Sequence, residues 1–231
     1  MYNRVMIIHA YATLLLILGA LGSTGFYLWQ EYTGGNHQAR PYLQPLTIAI
    51  IGLIALIVPV PISLYYKAAV LLGLLLTLLG SAFRLLPGMP LVVNKAYWLL
   101  AAAVFMTAFA ALHPVKLPTP WLLLLLLYAG GIAWLLAPRV AELQVSLLVY
   151  GFVLLLMTWQ SLEVLVVVGQ WWALLPFLGA LCLVIADSIQ GLDRFYRALP
   201  ATRLLMPAFL LLGQLLLALS IWGPALGMAF S

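Results

Sequence analysis

The feature that most constrains this chain is a succession of apolar runs, most of them long enough to cross a bilayer. Short stretches rich in proline, glycine and basic residues separate them. A helix needs ~20 predominantly apolar residues to cross the hydrocarbon layer, where every backbone N–H and C=O has to find its partner internally. The runs read as eight spans, over residues 5–29, 46–58, 62–86, 96–112, 121–137, 143–162, 171–190 and 204–222. The second is short, and Pro59 and Pro61 break the pattern after it. A signal peptide competes for the first run, because Arg4 precedes it and small residues end it. Its apolar length exceeds the ~7–15 residues of a signal core, which favours a span.

Composition supports the same conclusion. Hydrophobic residues are 66% of the chain and charged residues 6%, where a soluble domain carries roughly 25% charged residues to face water. A soluble enzyme and a disordered chain are excluded. The net charge of +5 is spread too thinly to form a phosphate-backbone-binding face, which excludes a nucleic-acid partner. Cys182 is the sole cysteine, so neither a disulfide framework nor a Cys-rich metal site is available. The expected fold class is all-α, a polytopic integral membrane bundle of eight transmembrane helices forming a single domain over 1–231. The bilayer is its first partner, and no cofactor or metal is expected.

An even number of spans puts both termini on one side. The linkers after odd-numbered spans then hold Arg40, Arg84, Lys95, Arg139, Arg194, Arg197 and Arg203, and the opposite side holds Arg4, Lys67 and Lys116. The positive-inside rule makes the richer side cytoplasmic and both termini extracytoplasmic, as in a bacterial inner (plasma) membrane.

Ionisable and polar groups at membrane depth are costly and usually face a protein interior or an aqueous cavity. In the third span Gly73, Thr77, Gly80 and Arg84 follow helical spacing, with Ser81 one turn from Thr77 and close to Arg84. A close helix–helix contact explains the small residues, and snorkelling explains Arg84 without any function. In the seventh span Ala180, Val184, Asp187 and Gly191 share a face, with Ser188 beside Asp187. The sixth run carries Glu142, Ser146, Tyr150, Met157 and Ser161, and the eighth carries Gln214. A buried tyrosine hydroxyl needs a partner, and an interhelical amide contact is the plain alternative for Gln214. Spans three and seven both run toward the cytoplasm. Ser81, Arg84 and Asp187 are therefore expected at one depth, with Glu142 at the same face and Arg84 within ion-pair or water-bridged reach of Asp187.

These residues resemble a known family. The segment Gly179-Ala-Leu-Cys-Leu-Val-Ile-Ala-Asp-Ser-Ile-Gln-Gly-Leu-Asp-Arg-Phe195 is similar to the Gly-Ala…Ser-Asp-Ser…Arg-Phe segment of YhhN-like lysoplasmalogenases. Pro45-Leu-Thr47 resembles that family's Lys-Pro-Leu-Thr, and Gly73 through Gly80 its Gly-Leu-x-Phe-Ser-x-x-Gly. Tyr150 through Met157 and Gln214 match its Tyr…Met helix and its last-helix Gln. The resemblance implies eight helices and hydrolysis of the vinyl ether bond of lysoplasmalogens, with a lysophospholipid or other single-chain lipid as ligand. Three positions depart from the pattern. Ser81 stands where the family continues Gly-Asp, Met106-Thr107 where it usually offers a His, and Gln44 where it has Lys.

Vinyl ether hydrolysis protonates an alkene carbon and passes through an oxocarbenium ion that water captures. Two carboxylates in one low-dielectric cavity supply the proton donor and the stabilising anion, because burial and like charge push their proton affinities apart. Here Asp187 and Glu142 are the catalytic candidates, and Thr77, Ser81, Arg84, Tyr150, Ser188 and Gln214 the substrate-binding ones. A guanidinium beside Asp187 would keep it ionised, so two alternatives stay open. One is a family member that binds or moves a lysolipid without cleaving it; the other is a small-solute transporter or membrane scaffold.

Overall fold

The computed structural model describes residues 2–34, 40–58, 63–86, 91–113, 120–136, 144–196 and 201–223. Within them lie eight α-helices: α1 (Tyr2–Thr33), α2 (Arg40–Ile57), α3 (Leu64–Phe83), α4 (Leu91–Leu112), α5 (Pro120–Leu136), α6 (Gln144–Val168), α7 (Leu174–Phe195) and α8 (Thr202–Ser220). One 3-10 turn, Trp171–Ala173, leads into α7.

The helices begin and end where local chemistry requires. Ser63 caps α3 by accepting the Tyr66 N–H at 2.9 Å, which pairs a donor with no partner inside the helix. At the end of α2 the ammonium of Lys67 donates to the carbonyls of Leu56 and Val58 at 2.8 and 2.7 Å, a cation on the negative end of a helix dipole. Gly34 and Gly169 follow α1 and α6 with φ of 65° and 64°, the left-handed turn that a glycine adopts without a Cβ clash.

Six helices are long and apolar enough to cross a membrane, and the apolar parts of α2 and α5 are shorter. The brevity of both was legible in the sequence, where the runs cover 46–58 and 121–137. At 17 residues α5 extends ~26 Å, short of a ~30 Å hydrocarbon core. Several boundaries differ from the sequence reading. Helix α2 starts ahead of Pro45 and contains it. A proline this near a helix start forfeits only one intrahelical hydrogen bond, so it does not end the linker as a breaker would. Helix α6 runs on past residue 162 to Val168, bringing Glu163 inside the helix, and α7 runs on to Phe195.

Neighbouring contacts close α2, α3, α4, α6, α7 and α8 into a ring, with α1 laid against α2 and α8 and α5 against α6 and α7. The core fills the ring interior with Ile54, Tyr66, Leu74, Phe105, Phe109, Met157 and Leu217. Leucines such as Leu15, Leu72, Leu123 and Leu127 stay exposed on the outside. That inversion of the soluble pattern suits a bundle whose solvent is lipid, and the chain has the make-up of an integral membrane protein. Close approach is set by glycine at two seams. A Cβ on Gly179 would meet the Gly213 carbonyl oxygen at 2.9 Å, and one on Gly73 would run into the Phe105 ring. Small residues let helices approach in this way where no hydrophobic effect drives them together.

Candidate functional site

Antiparallel succession gathers the ends of α1, α3, α5 and α7 and the starts of α2, α4, α6 and α8 at one face of the bundle. Asp187 sits eight residues before the end of α7, ~12 Å along the helix from that face. Its helix presents Ala180, Val184 and Ala186 to the core, and the carboxylate, 17% exposed, emerges at the margin of that packed strip.

Two neighbouring helices converge on it. Lys95, from the second turn of α4, places its ammonium 3.0 Å from Asp187 Oδ1 and donates also to Gln190 Oε1 at 3.2 Å. Tyr150, buried on α6, donates its hydroxyl to Asp187 Oδ2. The Lys95 ammonium lies 4.7 Å from the centre of the Tyr150 ring, a cation–π contact that is strengthened by partial desolvation. On the outer side the Tyr128 hydroxyl of α5 donates to Ser188 Oγ at 2.7 Å.

Arg84, the residue after α3, makes no direct ion pair with Asp187 among the described residues. Its guanidinium lies 5.8 Å over the ring of Trp98 and within the electrostatic field of Asp187, Tyr27 and Tyr150. The ion pair to Asp187 is made by Lys95 instead. Lys95 replaces Arg84 as partner because α3 packs on α4, α4 on α6 and α6 on α7, so the α4 side chain has the shorter reach. Helix α4 also starts ahead of the residue-96 boundary read from sequence, which turns Lys95 from a linker charge into a helical one. The signal was available: Leu91-Val92-Val93 is already apolar before the lysine.

Of the other sequence candidates, Thr77 and Ser81 are buried and satisfied within their own helix, donating to the carbonyls of Leu74 and Leu78 at 2.8 Å each. Gln214 is fully buried in α8, and neither amide atom has a hydrogen-bond partner among the described residues. The Gly179–Gly213 contact fixes the α7–α8 register, so Gln214 lies level with the region of Gly179, deeper than Asp187. Glu142 lies outside the described residues.

A second polar group stands at the opposite end of the bundle and was not singled out in the sequence. Gln160 of α6 donates to the His113 carbonyl at 2.6 Å, and Glu163, one turn on, is 95% buried. Among the described residues no three His, Cys, Asp or Glu are grouped to hold a metal.

A bundle of apolar helices with one carboxylate held by a lysine and a tyrosine near one membrane face is a polytopic membrane protein with a polar site inside its helical wall. The chain belongs to the YhhN family, whose model matches residues 39–221. No curated protein and no solved structure matches it.

Proposed function

We propose that the protein is a membrane-embedded hydrolase of single-chain ether lipids that cleaves the vinyl ether bond of lysoplasmalogens, with Asp187 handling the proton. Membership of the YhhN family supports the class. The observation that carries the site is the convergence of Lys95 and Tyr150 on the Asp187 carboxylate at membrane depth, with Gln190 accepting a second bond from Lys95, because a charge there is costly and is usually functional. In this reading Asp187 as the acid gives its proton to the vinyl carbon remote from oxygen. Water adds to the resulting oxocarbenium carbon and loses a proton to the carboxylate. The hemiacetal then collapses to a long-chain aldehyde and a glycerophospho headgroup. Tyr150 orients the carboxylate, Arg84 and Ser188 line the polar mouth, and Thr77, Ser81 and Gln214 line the route of the chain. Glu142 stays the candidate second carboxylate, on its place in the sequence just before α6. The reading takes residues 1–231 as one transmembrane unit of a bacterial inner membrane with both termini outside.

A second reading, a family member that binds or moves a lysolipid without cleaving it, is favoured by one feature. The Lys95 ammonium occupies one oxygen of Asp187 at 3.0 Å, and Ser81 stands at the position of the second acid. Purified protein in detergent micelles separates the two when offered three lysolipids with the same headgroup: vinyl ether, alkyl ether and ester. The hydrolase reading expects aldehyde from the vinyl ether alone. Binding of all three with no aldehyde would establish the second reading.

A further inference from the structure

We propose that Arg84 and Lys95 together bind the phosphate group of the ligand, and that this binding draws Lys95 away from Asp187. The first half rests on the charges alone; the second deepens the hydrolase reading.

The resting cluster is one anion short. Two cations, Arg84 and Lys95, share the field of one carboxylate, Asp187. That carboxylate is already occupied, with Lys95 on Oδ1 and the Tyr150 hydroxyl on Oδ2. Among the described residues no carboxylate lies within ion-pair distance of Arg84, which rests on the face of Trp98. Arg84 is exposed just past the end of α3, where an incoming anion can reach it, and the Lys95 side chain beside it is only 18% exposed, so an anion shared by the two is partly desolvated and its charge-assisted hydrogen bonds are stronger than in water. Trp98 and Lys95 are three residues apart on α4, so the ring under Arg84 and the base of Lys95 lie on one face of that helix. A tetrahedral anion placed over that face meets a planar guanidinium fork from one side and a flexible ammonium from the other. Guanidinium is suited to phosphate because its N–H groups match two phosphate oxygens at once.

The consequence for Asp187 follows from the groups that face it. These are Lys95, Tyr150 and, at longer range, Arg84; Tyr27 faces Arg84, and the Tyr128 hydroxyl is on the neighbouring Ser188. Once phosphate takes Lys95, Asp187 loses its counter-ion and gains a negative neighbour. Both changes favour the protonated acid over the carboxylate. A lysoplasmalogen carries its phosphate and its vinyl ether at opposite ends of one glycerol unit. The headgroup at Arg84 and Lys95 therefore brings the alkene toward the oxygen that Lys95 has left. The ligand itself converts a closed ion pair into a proton donor.

The test uses the full-length protein in uncharged detergent micelles with lysophosphatidic acid, a monoacylglycerol of the same chain and inorganic phosphate, by titration calorimetry. Lysophosphatidic acid is expected to bind about tenfold or more tighter than the monoacylglycerol, as a charge-assisted contact implies. Arg84→Gln and Lys95→Gln should each remove most of that advantage, and Arg84→Lys should restore part of it. Infrared difference spectra should show the carbonyl band of a protonated acid on lysophosphatidic acid binding, absent in Asp187→Asn. Inorganic phosphate that competes at the lysolipid's own concentration assigns the anion to a soluble source; failure to compete assigns it to a lipid headgroup. Equal affinity for the two lipids, or an advantage unmoved in both glutamine variants, overturns the anion site. Phosphate-dependent binding with no acid band overturns the release of Asp187. Aldehyde release with no preference for the charged lipid would sink this inference and leave the hydrolase reading. The preference and the acid band without aldehyde would do the reverse.

Discussion

Removing Lys95 should be more damaging than removing both members of its pair. In Lys95→Met the Asp187 carboxylate keeps the Tyr150 hydroxyl but loses its only ion-pair partner among the described residues, and Gln190 loses a donor. Leaving one buried ion uncompensated costs ~3–5 kcal/mol. The side chains of Lys95 and Asp187 are 18% and 17% exposed, so water and headgroups relieve part of this, and we expect the lower end, about 3 kcal/mol. Asp187→Asn keeps the shape and the Tyr150 contact while leaving Lys95, which has a long stem and can reach outward, so its cost should be about 1 kcal/mol. In the double variant no bare charge remains, and its cost should fall below the sum of the two single costs by about 1.5–3 kcal/mol of coupling, the scale of a hydrogen bond to a charged group, which leaves it below that of Lys95→Met alone by about 0.5–2 kcal/mol. The assay is reversible unfolding in mixed micelles with rising SDS fraction, followed by helical circular dichroism. Additivity of the two single variants to within about 0.5 kcal/mol would refute the account of Lys95 as the counter-ion.

Other consequences of the packing are equally open to measurement. Gly179→Val puts a branched side chain where even a Cβ meets a backbone carbonyl at 2.9 Å; it should destabilise the α7–α8 seam by about 1–3 kcal/mol in the same unfolding assay. Tyr66→Phe removes the 2.6 Å hydrogen bond to Ser220 that ties α3 to α8. Its cost should be about 0.5–1.5 kcal/mol, modest because Ser220 still donates to the Leu217 carbonyl at 2.6 Å. Reporter fusions at the C-terminus should be active only outside the cytoplasm, with cysteine labels in the Arg194–Arg203 linker reacting only from inside; the opposite pattern would reverse the orientation.

Helix number, order and the polar side chains at one face were legible in the sequence, because a bilayer imposes a length on each apolar run and makes Asp187 and Tyr150 conspicuous. Depth was legible too: antiparallel succession puts Arg84 and Asp187 near the same end. Lateral neighbourhood was not. Which side chain reaches Asp187 depends on the order of helices around the ring, and α3 is separated from α7 in that order by α4 and α6. Depth alone put Arg84 near Asp187, and it does lie in that carboxylate's field, but the direct ion pair goes to Lys95. The polar group of Gln160 and Glu163 escaped notice for another reason. The sixth run was ended at residue 162, which left Glu163 as an end residue instead of a charge within α6. Polar residues at run ends look solvated in one dimension, and only the fold reveals that these are enclosed.

The central claim, that Asp187 moves the proton in vinyl ether cleavage, is tested most directly by aldehyde release from a lysoplasmalogen. The comparison is between the unmodified protein and Asp187→Asn, after confirming that the variant retains its helical circular dichroism and unfolding midpoint. The account predicts release by the unmodified protein and a loss of at least about a hundredfold in Asp187→Asn, the scale of a general acid–base contribution. Release at an undiminished rate from the folded Asp187→Asn variant would contradict it.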